Sequence, residues 1–222
     1  MNSKNQQLNT LFDNWSENYG ASENFVKDGI IDEERFQNAT HKILFITKEP
    51  NDPKNEATDY REWWNEELYY SFSYRIAEWA YGILNDFPVY DEIWPKVNGK
   101  YNGEKAMEAI QSIAFMNVKK SGGKGSSEEK TINRYIKRDY EFIHEQISVI
   151  DPEIIVISMS KDSTVNLLFP EMDWKESGYG TGIGRYENSK VIDFYHPSAR
   201  SGVAAPYCLL QNIVQSKVFR DL

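Results

Sequence analysis

Four short runs of consecutive apolar residues constrain the fold of this chain more than any other feature. They are ILFIT (43–47), IAFMNV (113–118), EIIVIS (153–158) and KVIDFY (190–195). Apolar runs of this length, without polar alternation, are typical of strands that are buried on both faces. Segments with helical spacing separate the runs, so strand and helix alternate along the chain. This order predicts an α/β fold with three layers, α/β/α, around a central four-stranded parallel sheet.

The helices are predicted from apolar residues that recur with a period near 3.6. They cover residues 5–19, 61–86, 104–112, 131–150, 161–169 and the stretch from about 204 onwards. The glycine-rich segment GYGTGIG (178–184) precedes a strand and does not link a strand to a helix, so it predicts a turn or hairpin. No internal repeat or linker divides the chain, and we expect a single domain over residues 1–222.

Composition limits the class of protein. The chain has 222 residues and a net charge of −9, from 25 basic and 34 acidic residues. No apolar run approaches the roughly 20 residues that cross a bilayer. The start, MNSKNQQLNT, lacks the apolar core of a signal peptide. We therefore expect a cytoplasmic monomer with no membrane partner. The acidic balance argues against a protein that coats nucleic acid, although a local basic groove remains compatible with it.

Cysteine and histidine usage argues against a bound metal. Cys208 is the single cysteine, and we expect it to be a buried thiol in an apolar helix. The three histidines, His41, His144 and His196, are not spaced as metal ligands. The segment SGGKGSS (121–127) lacks the Ser or Thr that follows the lysine of a phosphate-binding loop. The sequence predicts no metal and no cofactor.

Polar side chains follow three of the predicted strands at their carboxyl ends. Glu49 follows the first strand, Asn117 ends the second and His196 follows the fourth. Ligands of open parallel sheets bind outside this edge, so we expect the three side chains to line one crevice. Each residue also has a purely structural explanation. Glu49 would be an acid in a turn, Asn117 the cap of a strand, and His196 a histidine whose hydrogen bonds are satisfied at a strand end. Together they predict a site that combines a carboxylate, an amide and an imidazole.

Three segments resemble the motifs of the uracil-DNA glycosylase superfamily, in the family's order. They are ILFITKEPND (43–52), FMNVKK (115–120) and YHPSARS (195–201). In that superfamily a strand runs into Gly-Gln-Asp-Pro-Tyr-His or Gly-Glu-Ala-Pro-Gly, a second strand carries a base-recognising Asn, and His-Pro-Ser-x-x-Ser closes the set. The matched frame covers residues 41–215, approximately. The resemblance implies the three-layer fold and a hydrolase of base excision repair, which cleaves the N-glycosidic bond of uracil or another damaged base in DNA.

The resemblance gives each motif residue an expected role. Glu49 takes the place of the water-activating aspartate, and His196 that of the histidine that stabilises the departing base. Asn117 takes the place of the amide that hydrogen-bonds the base edge. The remaining substrate-binding candidates come from the first and last motifs: Pro50, Asn51, Ser198, Ser201 and Arg200, the last of which falls where a side chain wedges into the DNA stack.

Departures from the family pattern bear on the substrate. Thr47 replaces glycine, Lys48 replaces Gln or Glu, and Asn51 replaces the residue that excludes thymine. The cysteines of the iron–sulfur branch are absent, which implies a branch without that cluster. Six aromatic residues compete for the role of stacking on the base: Tyr60, Trp63, Trp64, Tyr69, Tyr70 and Phe72.

Two other functions fit the same residues. One is a catalytically silent module that binds a nucleobase or nucleotide, and the other is a hydrolase of nucleosides or RNA, which suits the acidic composition. The surface around the strand ends discriminates between them, because a basic groove favours DNA and an acidic rim favours a small ligand. The groove's candidates are Lys119, Lys120, Lys124 and Arg200. We expect DNA as the partner, with weak non-specific affinity.

Overall fold

The computed structural model describes residues 3–20, 22–54, 56–65, 68, 71–93, 103–123, 127–159, 162–199, 202 and 204–222. Its strands are β1 (Gly29–Ile30), β2 (Ile43–Thr47), β3 (Ala114–Asn117), β4 (Ile154–Ile157), β5 (Lys175–Glu176), β6 (Gly182–Tyr186) and β7 (Ser189–Asp193). Its helices are α1 (Lys4–Ser16), α2 (Glu33–Asn38), α3 (Tyr60–Trp64), α4 (Ser71–Leu84), α5 (Tyr90–Ile93), α6 (Gly103–Gln111), α7 (Glu129–Arg138), α8 (Tyr140–Ile150), α9 (Asp162–Leu168), α10 (Ala204–Gln215) and α11 (Lys217–Arg220). Within these ranges, none of the helices has the length and apolar character needed to cross a membrane.

The strands form one mixed sheet in the order β1-β3-β2-β4-β7-β6-β5. The four predicted runs form its parallel centre, β3-β2-β4-β7. The α/β class is confirmed, but the prediction of a four-stranded sheet is wrong. β1 adds antiparallel to β3, and β6 and β5 continue antiparallel beyond β7. These strands gave no apolar signal, because β1 and β5 have two residues each and β6 contains two glycines. Residues 177–181 form the turn that joins β5 to β6, and these two strands pair antiparallel, so the turn or hairpin predicted from residues 178–184 is confirmed.

Side chains of the central strands alternate between two buried clusters, one on each face of the sheet. In β2, Ile43 and Phe45 belong to the first cluster, and Leu44 and Ile46 to the second. Helices α4, α6 and α10 supply residues to the first cluster, while α1, α7, α8 and α9 supply the second. Helices therefore cover both faces, which explains why the central strands are apolar at successive positions.

Two predicted helices are each divided in the structure. The prediction of one helix over 61–86 is wrong, because α3 ends at Trp64 and α4 begins at Ser71. The prediction over 131–150 joins α7 and α8, which separate at Asp139. The fully buried Asp139 carboxylate accepts hydrogen bonds from the Arg138 guanidinium at 2.7–2.8 Å and from the Tyr19 hydroxyl at 3.1 Å. Apolar periodicity continues across this break and so does not reveal it.

The prediction of a buried thiol at Cys208 is wrong. Cys208 is exposed on α10, whose buried residues are Pro206, Tyr207, Leu210 and Ile213. The apolar character of the surrounding sequence therefore reflects the neighbouring face of the helix and not the position of the thiol.

Candidate functional site

A cavity of about 380 Å³ lies at the carboxyl ends of β2, β3 and β7. Its lining includes Glu49, Asn117 and His196, the three side chains that the sequence predicted to converge. Asn51 and Ser198 also line it. The parallel pairing of these strands places their ends at one edge of the sheet, so residues far apart in sequence meet there. Their chemical roles stay predictions.

The other predicted substrate-binding residues lie elsewhere or outside the described ranges. Pro50 is buried and is not among the described residues that line the cavity. Its carbonyl oxygen accepts hydrogen bonds from the backbone N–H groups of Asp52 at 2.9 Å and Gly123 at 2.8 Å. Pro50 therefore shapes the loop that carries Glu49. Arg200 and Ser201 lie outside the described residues.

Glu49 forms a nearly buried ion pair in the cavity wall. Its Oε2 lies 2.7 Å from Nζ of Lys119, and the two side chains are 7% and 8% exposed. The Lys119 ammonium also donates to the carbonyl oxygens of Ser121 at 3.2 Å and Gly122 at 2.8 Å. An ammonium has three donors, so these contacts use all of them and hold the carboxylate in place. The sequence did not indicate this pair, because its members are 70 residues apart.

Gly123 allows the backbone to approach the Glu49 carboxylate closely. A Cβ atom at this position would overlap that carboxylate, so only glycine leaves the ion pair undisturbed. The Gly123 N–H group donates to the Pro50 carbonyl at 2.8 Å, which ties the two loops together. The start of the glycine-rich loop thus encloses Glu49.

Asn117 is held by its neighbours at the end of β3 but keeps one amide group unpaired. Its backbone N–H donates to Oδ2 of Asp28 at 2.8 Å, and its Oδ1 accepts from the Thr47 hydroxyl at 2.7 Å. The residue is 1% exposed, and its Nδ2 has no hydrogen-bond partner among the described residues. Asn117 therefore offers N–H donors to a ligand that carries an acceptor such as a carbonyl oxygen.

His196 is neutral and has a defined tautomer. Its Nδ1 accepts a hydrogen bond from the backbone N–H of Ser198 at 3.1 Å, so the ring proton resides on Nε2. Burial, assisted by the positive charge of Lys48, lowers the pKa of the imidazole from 6.5 to about 4. At neutral pH His196 consequently presents an uncharged N–H donor.

Titration of His196 should place its pKa well below that of an unperturbed histidine. We expect a midpoint near pH 4 in NMR spectra of the labelled imidazole, assigned by comparison with His196→Gln. Between pH 6.5 and about 4 the unfolded state then binds more protons than the folded state at this residue. The free energy of unfolding therefore falls as the pH drops through that window, and His196→Gln should lose less stability there. A midpoint near 6.5 would contradict the assignment of a half-buried imidazole that is neutral above about pH 4.

Aromatic rings form the apolar part of the lining. Four of the six stacking candidates line the cavity, and Tyr69 and Tyr70 lie outside the described residues. The Phe72 ring centroid lies 5.8 Å from that of His196 and 6.1 Å from that of Phe115. Among the described residues, Phe72 is thus the stacking candidate whose ring contacts the His196 imidazole. It offers a flat apolar surface beside the polar groups of the cavity.

The two adjacent lysines after β3 do not form a basic groove. Lys119 is paired with Glu49, as described above. Lys120 is fully buried, with Nζ 2.6 Å from Oδ1 of Asp28 and 4.9 Å from the centroid of the Trp15 ring. Both lysines were candidates for the basic groove that would favour DNA, and neither is available to phosphates, because each is buried against a carboxylate. Lys124 and Arg200, the other candidates for the groove, lie outside the described residues.

Comparison with known proteins adds no functional assignment. The chain matches no protein-family model and no curated protein sequence. In the described part of the chain, no group of three or more His, Cys, Asp or Glu side chains is arranged to hold a metal ion. The functional proposal therefore depends on the chemistry of the cavity and on the three motifs.

Proposed function

We propose that the protein is a uracil-DNA-glycosylase-like N-glycosidase, which binds a nucleobase in the cavity and hydrolyses its bond to the sugar. The observation that carries the proposal is the presence of a neutral imidazole donor, an amide with unpaired N–H donors and a carboxylate in one aromatic-lined cavity. A flipped base presents a flat ring for stacking and polar atoms along its edge. The volume of about 380 Å³ is within the usual range of small-molecule sites.

The chemistry divides between the base and the sugar. Cleavage of an N-glycosidic bond develops positive charge on the sugar and negative charge on the departing base. His196 Nε2–H donates to a base oxygen and stabilises the negative charge without transferring its proton, since the ring is neutral. Glu49 orients the attacking water and stabilises the sugar cation. Asn117 hydrogen-bonds the base edge, and Phe72 stacks against the ring.

The ion pair between Glu49 and Lys119 favours a second candidate, the silent base-binding module. An ammonium 2.7 Å from the carboxylate offsets the negative charge that a sugar cation needs. In the glycosidase, Glu49 must therefore act chiefly by holding the water with the oxygen that Lys119 leaves free. In the silent module, the pair serves only to shape the cavity, and base binding occurs without cleavage.

The buried state of Lys119 and Lys120 bears on the size of the substrate. With both lysines paired, two of the four candidates for a basic groove are not available to phosphates. A chain of net charge −9 should then bind polymeric DNA weakly, with a shallow salt dependence. Free nucleosides and RNA consequently belong among the substrates to be tested.

Release of free base from defined substrates tests the proposal. The protein is incubated with single- and double-stranded oligonucleotides that contain uracil, hypoxanthine or xanthine, with uracil-containing RNA and with nucleosides, and released base is quantified by mass spectrometry. We expect release from at least one deoxyoligonucleotide. Base binding without any release would favour the silent module, and release from nucleosides or RNA alone would favour the other hydrolase. Absence of both binding and release would contradict all three.

A further inference from the structure

We infer that the Thr47 hydroxyl determines which nucleobases the cavity accepts, by fixing the orientation of the Asn117 amide. Held this way, Asn117 directs its NH₂ group to the ligand and selects a carbonyl oxygen over an exocyclic amine at that position. The inference rests on the proposed nucleobase site but does not depend on cleavage.

The two residues are neighbours at the ends of adjacent parallel strands. Thr47 ends β2, Asn117 ends β3, and the ladder pairs them directly. The Thr47 Oγ1 and Asn117 Oδ1 atoms are 2.7 Å apart, and the residues are 3% and 1% exposed. Solvent therefore does not compete for this hydrogen bond. Asp28 holds the backbone N–H of Asn117, which fixes the strand end from which the amide projects.

A count of hydrogen bonds favours one amide orientation. As observed, the Thr47 hydroxyl donates to Oδ1, and only the Asn117 Nδ2 has no partner among the described residues. If the Asn117 amide were turned over, its Nδ2 would donate to the Thr47 hydroxyl oxygen. The hydroxyl proton and Oδ1 would then both lack the partners they have now. Because unpaired buried polar groups are costly, the observed orientation is preferred.

This orientation has a consequence for ligand choice. A carbonyl oxygen, such as that of uracil, accepts from the Asn117 NH₂ group. An exocyclic amine, such as that of cytosine, is itself a donor. It would face the Asn117 NH₂ group, and both donors would be unpaired in a buried site. A mismatch of this kind is expected to weaken binding on the order of tenfold to a hundredfold. Thr47 stands where the resembling motif has glycine, so its hydroxyl is a feature of this chain.

Binding of free uracil and free cytosine to three Thr47 variants tests the inference. Thr47→Val and Thr47→Ala remove the hydroxyl, and Thr47→Ser keeps it as the matched control. Calorimetric titration should give wild type and Thr47→Ser a Kd ratio of ~10 or more in favour of uracil. Without the hydroxyl the amide is free to turn, so Thr47→Val and Thr47→Ala should bring the ratio towards unity, with tighter cytosine binding. Melting curves establish that each variant is folded. If Thr47→Val does not fold, Thr47→Ala alone tests the loss of the hydroxyl.

An unchanged ratio in the hydroxyl-free variants would overturn the inference. Loss of the preference in Thr47→Ser would also overturn it, because the hydroxyl would still be present. A wild-type protein that binds neither base overturns the inference together with the nucleobase site. A wild-type protein that binds uracil but releases no base from any substrate ends the glycosidase proposal alone and leaves the inference standing.

Discussion

Replacement of Lys120 by methionine is expected to lower the free energy of unfolding by about 3–5 kcal/mol. The Lys120 and Asp28 side chains are 0% and 2% exposed, with Nζ and Oδ1 2.6 Å apart. Methionine fills a similar volume but leaves the Asp28 carboxylate charged and buried. Its remaining hydrogen bonds, from Gln146 Nε2 at 2.8 Å and the Asn117 backbone N–H at 2.8 Å, come from neutral donors and do not replace the ammonium.

The double variant Lys120→Met with Asp28→Asn should recover most of this loss. Asparagine at position 28 can accept from the Asn117 N–H, and once the Gln146 amide turns over it can donate to Gln146 Oε1, which has no partner among the described residues. The matched control is Lys27→Met, which breaks an exposed pair with Asp13 and should cost less than about 1 kcal/mol. Urea denaturation of the four proteins measures these differences. If Lys120→Met were as stable as the wild type, the buried pair would not be a structural anchor of β3.

Short apolar runs were sufficient to predict the centre of the fold but not its edges. A strand buried on both faces must be apolar at successive positions, so β2 and β4 were evident from residues 43–47 and 154–157. The edge strands β1 and β5 depend on pairing with a neighbour, and two residues carry no periodicity. The helix break at Asp139 depends on Tyr19, which is 120 residues away. Local patterns contain no information about such partners.

The same distinction applies to the candidate site. The convergence of Glu49, Asn117 and His196 followed from topology alone, because parallel strands bring their carboxyl ends to one edge. The contacts that tune these side chains could not be predicted in this way. Lys119 and Lys120 follow β3 as two adjacent cations that resemble a surface pair, yet their carboxylate partners are 70 and 92 residues away in the sequence. Their burial becomes evident only when the sheet and its covering helices are assembled.

Removal of the His196 side chain is expected to slow base release on the order of a hundredfold, which corresponds to ~3 kcal/mol of transition-state stabilisation. In the proposed glycosidase, His196→Ala removes the N–H donor to the departing base. Glu49→Gln keeps the shape of the side chain but should also slow cleavage, because a neutral amide oxygen holds the attacking water less strongly than a carboxylate oxygen. Neither change should weaken base binding much, because the proposal assigns base recognition to Asn117 and the aromatic lining. Asn117→Ala should instead raise the apparent KM, since it removes a contact that is present in the ground state.

His41→Ala provides the matched control for His196→Ala. His41 is a half-exposed histidine just before β2, at the amino edge of the sheet and therefore opposite the cavity. Its Nδ1 lies 3.1 Å from Oε2 of Glu153, a pair outside the cavity lining. Loss of this imidazole should leave both cleavage and base binding at the wild-type level, so an effect confined to His196 cannot arise from general loss of a histidine.

The single-turnover rate of base release by His196→Ala, measured beside wild type and His41→Ala on the best oligonucleotide substrate, decides whether His196 takes part in cleavage. We expect wild-type rates for His41→Ala and a loss on the order of a hundredfold for His196→Ala, with base affinity nearly unchanged. Equal rates for all three proteins would contradict the assignment of the cavity as the site of cleavage.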